Sequence, residues 1–458
     1  MKAKAPPTEP PDASPIEQAA STPARLGRFT LRMPHIFYGW WVVFGSGAIV
    51  FIAAGTFFYG FSAIFDPLVD EFGWSHAAVS LGFSMRTEVG GLFAPLVGYM
   101  VDRVGPRRLL TVGVVTVGLG FFWLSRIDNL WGFYTAMIII ALGMSSCGGL
   151  VGQVAISNWF ERKRGRALAI VAIGPGASGI MVMILAWLIS LFGWRDALAI
   201  MAVVIWATGI PLAMLVRRRP EDYGLTLDGE PATTLAPAES PTADIGAPQA
   251  PRAPEGMTLR EALRSRAFWF LALSFAVSWF GTTAIVVHQI PALTEAGFSR
   301  EFAAVIVTLT VVLSLGGRLG FGWLADLRDK RLVLTGAFLL QALGVLIFAF
   351  VTEWWQLVLF LVLYPAGYGG TIPVRPAFQA EYFGRRALGA IMGFTFFVTS
   401  VGTVLGPVFV GWMYDISESY RLAFVITSFI SLAAIPLVLG IPRPQARDVG
   451  QELSAMQG

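Results

Sequence analysis

Residues 98–108 read GYMVDRVGPRR, and residues 322–331 read GWLADLRDKR. Both stretches carry a glycine, an aspartate four positions later and a cluster of cations, at an offset of 224 residues. Each ends a long apolar run and opens a short basic loop. Two more pairs echo each other at nearly the same offset: WFERKRGRAL from Trp159 with YFGRRALG from Tyr382, and GWRDAL from Gly193 with SYRLAF from Ser419. Three matched loops between matched apolar runs mark an internal duplication in which both copies have the same orientation.

The 458-residue chain is 55% hydrophobic and 14% charged, whereas a soluble domain carries about 25% charged residues. Apolar runs of about 18 or more residues, long enough to cross a bilayer, recur along it. They read as twelve transmembrane helices, at 38–65, 76–101, 109–125, 131–157, 168–192, 197–216, 269–293, 302–324, 332–352, 355–380, 387–413 and 421–440. The expected fold is an all-α membrane protein of two six-helix bundles, 38–216 and 269–440. Residues 1–37 read as a disordered tail without the apolar core of a cleavable signal peptide. Residues 217–268 read as a linker with a flexible Pro/Ala/Thr-rich middle, ending in a short surface helix at TLREALRSRAF; 441–458 form a second tail.

Charge placement gives orientation. Of the 33 Lys and Arg residues, 26 fall in the two tails, the linker and the loops on one side, and four (Arg126, Arg195, Arg300, Arg421) on the other. Arg86, Arg318 and Arg375 lie within spans. The positive-inside rule then places both tails and the linker in the cytoplasm, as in a multi-pass protein of a plasma membrane. The dispersed cations exclude a nucleic-acid patch despite a pI near 9.3. Cys147 is the single cysteine, so no intrachain disulfide is possible. With three histidines, no metal-ligand cluster, no nucleophile–base pair and no G-x-x-x-x-G-K-[ST] motif, the sequence points away from an enzyme or an ATP-driven pump. It calls for no cofactor and no metal.

The spacing of Gly98, Asp102, Arg103, Gly105, Arg107 and Arg108 resembles the signature loop of the major facilitator superfamily. A degenerate second copy (Gly322, Asp326, Arg328, Lys330, Arg331) stands where that family has it, and the resemblance covers residues 38–440. In that family the loop helps to latch the two halves together on the cytoplasmic side. The physical logic agrees, since glycines allow close helix approach and a carboxylate and guanidinium can pair in one state and part in the other.

The segment GRLGFGWLAD, which begins at Gly317, resembles helix 8 of the monocarboxylate transporter family, whose arginine at this place binds the substrate carboxylate. The resemblance implies alternating-access transport of a small organic anion, lactate- or pyruvate-like, coupled to H+. The chain is expected to be a monomer in a bacterial inner membrane. Ser314 stands where animal members carry aspartate, and no lysine occurs between residues 38 and 65, where Tyr59 falls near the family position. These departures fit the bacterial branch better than the animal one.

A charge at a helix centre costs about 2.5–3.5 kcal/mol on insertion scales, so each one needs a reason. Arg318 lies eight residues before Asp326, about 12 Å along a helix, too deep to snorkel. Its planar fork suits a carboxylate, either of the substrate or of an interbundle ion pair. Glu88 shares the face of Gly91, Pro95, Gly98 and Asp102 and reads as a proton carrier or an ion-pair partner; Arg86 points away from that face. His288 reads as a titrating donor to substrate or a plain interfacial residue. Helix 10 is expected to be broken by Pro365, Gly367, Gly369, Gly370 and Pro373, with Tyr364 and Tyr368 as hydroxyl donors to substrate or as packing. Arg375 reads as a snorkelling residue. The competing readings are an oxalate–formate type antiporter, an exporter of hydrophobic compounds, and a sensor built on a transporter fold.

Overall fold

The computed structural model describes residues 37–229 and 256–442, apart from positions 60 and 178. Both tails and the middle of the linker, expected above to be disordered or flexible, lie outside the described residues. The first half comprises α1 (Gly39–Ala53), α2 (Phe61–Phe72), α3 (His76–Val104), α4 (Pro106–Leu124), α5 (Leu130–Cys147), α6 (Gly149–Trp159), α7 (Arg164–Ala177) and α8 (Gly179–Leu215). After the short helix α9 (Leu259–Arg264) come α10 (Arg266–Glu295), α11 (Arg300–Leu327), α12 (Lys330–Phe348) and α13 (Trp354–Phe383). The half ends with α14 (Leu388–Ser417), α15 (Tyr420–Leu432) and α16 (Ala434–Leu439). Among the described residues the β contact is a single bridge, Gly256 to Gly384.

Among the described residues, ten segments are long and apolar enough to cross a bilayer. Local chemistry sets their ends. Ser75, Asn129, Ser265, Ser299 and Ser419 each accept a backbone N–H from the first turn of the helix that follows, the usual way to satisfy an orphan donor. Gly105 (φ +90°, ψ 155°) joins α3 to α4 in a conformation open essentially only to glycine, and Pro106 then starts α4. Gly193 (φ +77°) breaks α8 in the same way. Thr258 and Glu261 form a capping box on α9, whose Ala262 is buried. Helix 10 is not broken: α13 runs continuously through its prolines, and its glycines serve close packing. A Cβ on Gly367 would meet the Ala337 carbonyl at 2.5 Å, and one on Gly370 the Phe321 ring at 2.5 Å.

The duplication is visible in packing. In the first half α4 crosses α5 where a Cβ on Gly143 would lie 3.0 Å from the Gly113 carbonyl. The equivalent crossing of α12 and α13 pairs Gly367 with Ala337, each 224 residues on. Trp131 and Trp355, also 224 apart, stand exposed at the starts of α5 and α13, as tryptophans at a membrane–water interface do. At that same end Arg195 and Trp194, just past the Gly193 break, hold Glu71 (2.8 and 2.6 Å). The Arg195 hydrogen bond keeps the Glu71 carboxyl below the usual range.

The halves meet along two helix pairs, α3 with α14 and α7 with α11. At one end of the seam, called here the latch end, main chains touch. A Cβ added to Gly98 would lie 2.0 Å from the Gly389 carbonyl, and one on Gly165 2.1 Å from the Gly322 carbonyl. These four glycines form two pairs related by the 224-residue offset. Further along, a Cβ on Gly91 would sit 2.9 Å from the Ser400 Cβ, near disulfide range.

Gly98→Leu is therefore expected to hold the latch end apart. In a Cys147→Ser background, a Gly91→Cys/Ser400→Cys pair should cross-link readily under mild oxidation. Addition of Gly98→Leu should abolish the cross-link, as read by mass spectrometry of the intact chain. Undiminished cross-linking would show that the seam closes without the glycine contact.

Candidate functional site

At the latch end each half supplies a carboxylate to a helix N-terminus of the other. Asp102, in the last turn of α3, accepts the backbone N–H groups of Gly389 and Ala390 at the start of α14 (2.9 Å each). Asp326, in the last turn of α11, accepts those of Gly165 and Arg166 at the start of α7 (2.6 and 3.2 Å) and the Arg166 Nε (2.9 Å). Ala387, the residue preceding α14, has no capping side chain, so Asp102 acts as its cap from the opposite half. The negative charges also face the positive ends of the helix dipoles.

The sequence placed Gly98, Gly105, Asp102, Gly322 and Asp326 in this loop pair, but not their partners. Arg103, Arg107, Arg108 and Arg328 are exposed; Arg103 lies over the Tyr99 ring at 4.7 Å. The seam thus joins each aspartate to a helix end instead of to a signature-loop arginine. The echo of WFERKRGRAL and YFGRRALG has a counterpart in the packing. The shared Ala-Leu of the two loops (Ala167-Leu168 and Ala387-Leu388) stands 220 residues apart, whereas Gly165, which packs on Gly322, and Gly389, which packs on Gly98, stand 224 apart, about one helical turn out of that register.

Residues that the motif reading did not single out complete the latch. Arg385 crosses the seam to the Asn158 carbonyl and the Glu221 carboxylate (2.9 Å each). Arg218 donates to the Asp102 carbonyl. Asp228, buried and in the left-handed region (φ +56°), accepts the N–H groups of Glu161, Arg162 and Lys163 at 2.8–3.2 Å. The start of the linker is thereby fixed to the turn that leads into α7.

Arg318 is 4% exposed and reaches across the seam: its Nη1 donates to the carbonyl of Ala172 on α7. Its Nε has no partner, and no ion pair involves it among the described residues. Pro175, with no N–H, cannot close the helical bond to the Val171 carbonyl, one residue before the acceptor of Arg318. Ser314, one turn away, is fully buried and donates to the Val311 carbonyl. Arg318 therefore faces the other half of the protein, away from lipid.

The remaining candidates separate. Tyr364 is fully buried, donates to the Thr282 carbonyl at 3.3 Å and stacks between Phe360 and Tyr368; in this state it is core. Tyr368 is half-buried, with its ring edge-on to Trp279. His288 lies with Nε2 3.0 Å from the Pro407 carbonyl, which it must donate to, and Nδ1 3.4 Å from the Tyr420 hydroxyl. Both contacts are within its own half. Tyr59 and Glu88 fall on helical backbone, in Ala54–Tyr59 and α3, but their side chains lie outside the described residues, as does that of Arg86.

Arg375 corrects the sequence reading. It does not snorkel: it is 6% exposed, stacked on Phe396 at 3.9 Å and near Phe275 at 5.4 Å, with Nη1 lacking a partner among the described residues. The apolar run read from the sequence ends five residues after Arg375, so depth along the chain does not mark it as buried; the rings that cover it come from α10 and α14.

A family model for the Major Facilitator Superfamily matches residues 46–328 and 289–455. The chain is 24% identical over 436 residues to the uncharacterized MFS-type transporter YcxA of Bacillus subtilis, covering 89% of this chain and 97% of that one. It is 25% identical over 442 residues to human monocarboxylate transporter 11, covering 94% and 87%. Its fold matches the crystal structure of the human organic anion transporter MFSD10 with a TM-score of 0.63 at 15% identity, over 87% and 99% of the two chains. The repeated halves, the crossed latch and these matches converge: the chain belongs to the major facilitator superfamily, a family of membrane transporters and not of enzymes.

Proposed function

We propose that this transporter carries a small organic anion, a monocarboxylate of lactate or pyruvate size, by alternating access. Arg318 is the observation that carries the reading. A guanidinium buried on the seam, bonded to a neutral carbonyl and beside no described carboxylate, is poorly compensated in a low-dielectric setting. An incoming carboxylate can accept two parallel N–H bonds and neutralise it. It would displace the Ala172 carbonyl, which belongs to the other half, so filling the site also loosens the seam. That gives the ligand the differential affinity between states that any coupled movement requires. The likeness to a protein named monocarboxylate transporter supports this substrate class.

The topology is twelve spans: α3 is counted although it carries Arg86 and Glu88, and α8 is divided at Gly193. Both termini and the latch end are cytoplasmic by the distribution of Lys and Arg, so the described state faces outward. The protein is a monomer of the bacterial inner membrane, takes up H+ with the anion, and uses Glu88 as the proton carrier.

Purified protein in proteoliposomes, given labelled lactate, pyruvate, formate and oxalate with and without a pH gradient, tests this. Uptake of a monocarboxylate should rise as the outside is acidified. Arg318→Lys should weaken binding roughly tenfold or more, because a point charge replaces a bidentate fork. Uptake at wild-type rate by Arg318→Gln would contradict the reading. Oxalate uptake that needs internal formate and ignores pH would favour the antiporter.

Glu88→Gln should keep substrate binding and lose the pH dependence of transport. A wild-type pH profile in that variant would place the proton carrier elsewhere.

A further inference from the structure

Arg375 has no part in binding at Arg318, yet it is almost as deeply buried. Stacking on two rings offsets only part of its cost, since a cation–π contact contributes about 0.5–2 kcal/mol. A purely structural cation would be expected to satisfy all its donors, and Nη1 meets no acceptor among the described residues.

Its position is informative. α11 and α13 run parallel: Gly317 packs on Ala366, Gly369 on the Ser314 and Arg318 backbone, and Gly370 on Phe321. Arg375, six residues past Gly369, therefore lies about 9 Å nearer the latch end than Arg318. Its cover is the seam itself. Phe396 packs against a hydrophobic cluster that joins the first half to Ala377, Ala380, Leu388 and Met392 of the second. On α14 Phe396 is flanked by Gly393, whose Cβ would lie 2.2 Å from the Ala94 carbonyl, and by Ser400 against Gly91. When α14 parts from α3, this shared cluster is divided beside Phe396, and the space that opens adjoins the free donor of Arg375.

We propose that Arg375 is a second anion-binding residue, which takes the substrate carboxylate from Arg318 and is open to it only when the latch end is open. This rests on the reading of the chain as a carrier of small carboxylates. Phe275 and Phe396 hold the guanidinium plane in place while its edge stays free to donate. The anion passes along the C-terminal half from one guanidinium to the next, and the latch decides which of the two it can reach.

The test uses the full chain in oriented proteoliposomes with radiolabelled pyruvate, and KM measured separately from each side. Arg375→Gln should raise KM from the latch side roughly tenfold or more while KM from the opposite side stays within about twofold; Arg375→Lys should recover part of the loss. Equal changes on both sides, or none in a folded variant, would overturn the proposal. A measurement on the native arginine covers the case in which these variants fail to fold. In Asp102→Asn/Asp326→Asn protein, phenylglyoxal should modify Arg375, as mapped by mass spectrometry, and pyruvate should protect it. An unmodified or unprotected Arg375 would overturn the proposal. Wild-type protein that moves none of pyruvate, lactate or formate would overturn the carboxylate reading and this proposal together.

Discussion

Two carboxylates cap two helix ends that belong to the opposite half, and the state of the whole molecule hangs on them. Asp102 at the start of α14 and Asp326 at the start of α7 take up four backbone N–H groups that would otherwise be orphans on a closing surface. A hydrogen bond to a charged group contributes about 1.5–3 kcal/mol net, and a helix terminus adds up to about 2 kcal/mol in partly buried geometry. Desolvation of the carboxylates opposes both. About 5.5 kcal/mol is enough to move a two-state equilibrium from 1:99 to 99:1. A latch of this size can therefore hold one state firmly and still yield to substrate. The glycine pairs are what make it possible, because any side chain at Gly98 or Gly165 would keep the carboxylate out of reach of its helix end.

The two buried guanidinia of the second half, Arg318 and Arg375, sit at different heights above this latch. Arg318 spends one donor on the facing half, so its environment changes whenever the halves part. Arg375 is sealed by Phe396, a ring that lies on the moving seam. Asp228 and Arg218 add a third element, tying the start of the linker to the turn before α7 and to the end of α3. The linker thus begins as part of the latch machinery.

Much of this was legible in the sequence because it is local. Glycine and aspartate four apart share a helix face, and apolar runs give helices whatever their partners. Arg318 was legible by its depth. Arg375, five residues from the end of its apolar run, reads as snorkelling, because Phe275 and Phe396, which bury it, come from α10 and α14, far along the chain. The latch partners Gly165 and Gly389 were hidden by a misleading echo, in which the loops match one turn away from the register that packing selects. Tyr364 and His288 carried polar groups on apolar helices, and their own bundle satisfies them. No local pattern distinguishes that from a group held ready for a ligand. The breaks expected in helix 10 failed for a related reason: its glycines answer to neighbouring helices, which the chain's own spacing does not reveal.

The central claim is that the carboxylate caps hold the latch end shut. Ala380, on α13, is 4% exposed and packs into the hydrophobic cluster that joins it to the first half, so a cysteine there reports opening. The decisive measurement is the rate at which Ala380→Cys, in a Cys147→Ser background, reacts with a membrane-impermeant thiol reagent from the latch side. The comparison is between protein with both aspartates intact and protein carrying Asp102→Asn and Asp326→Asn. The account predicts slow labelling in the first and labelling faster by roughly tenfold or more in the second, as the loss of about 1.4 kcal/mol or more would give. Equal rates in the two proteins would contradict it.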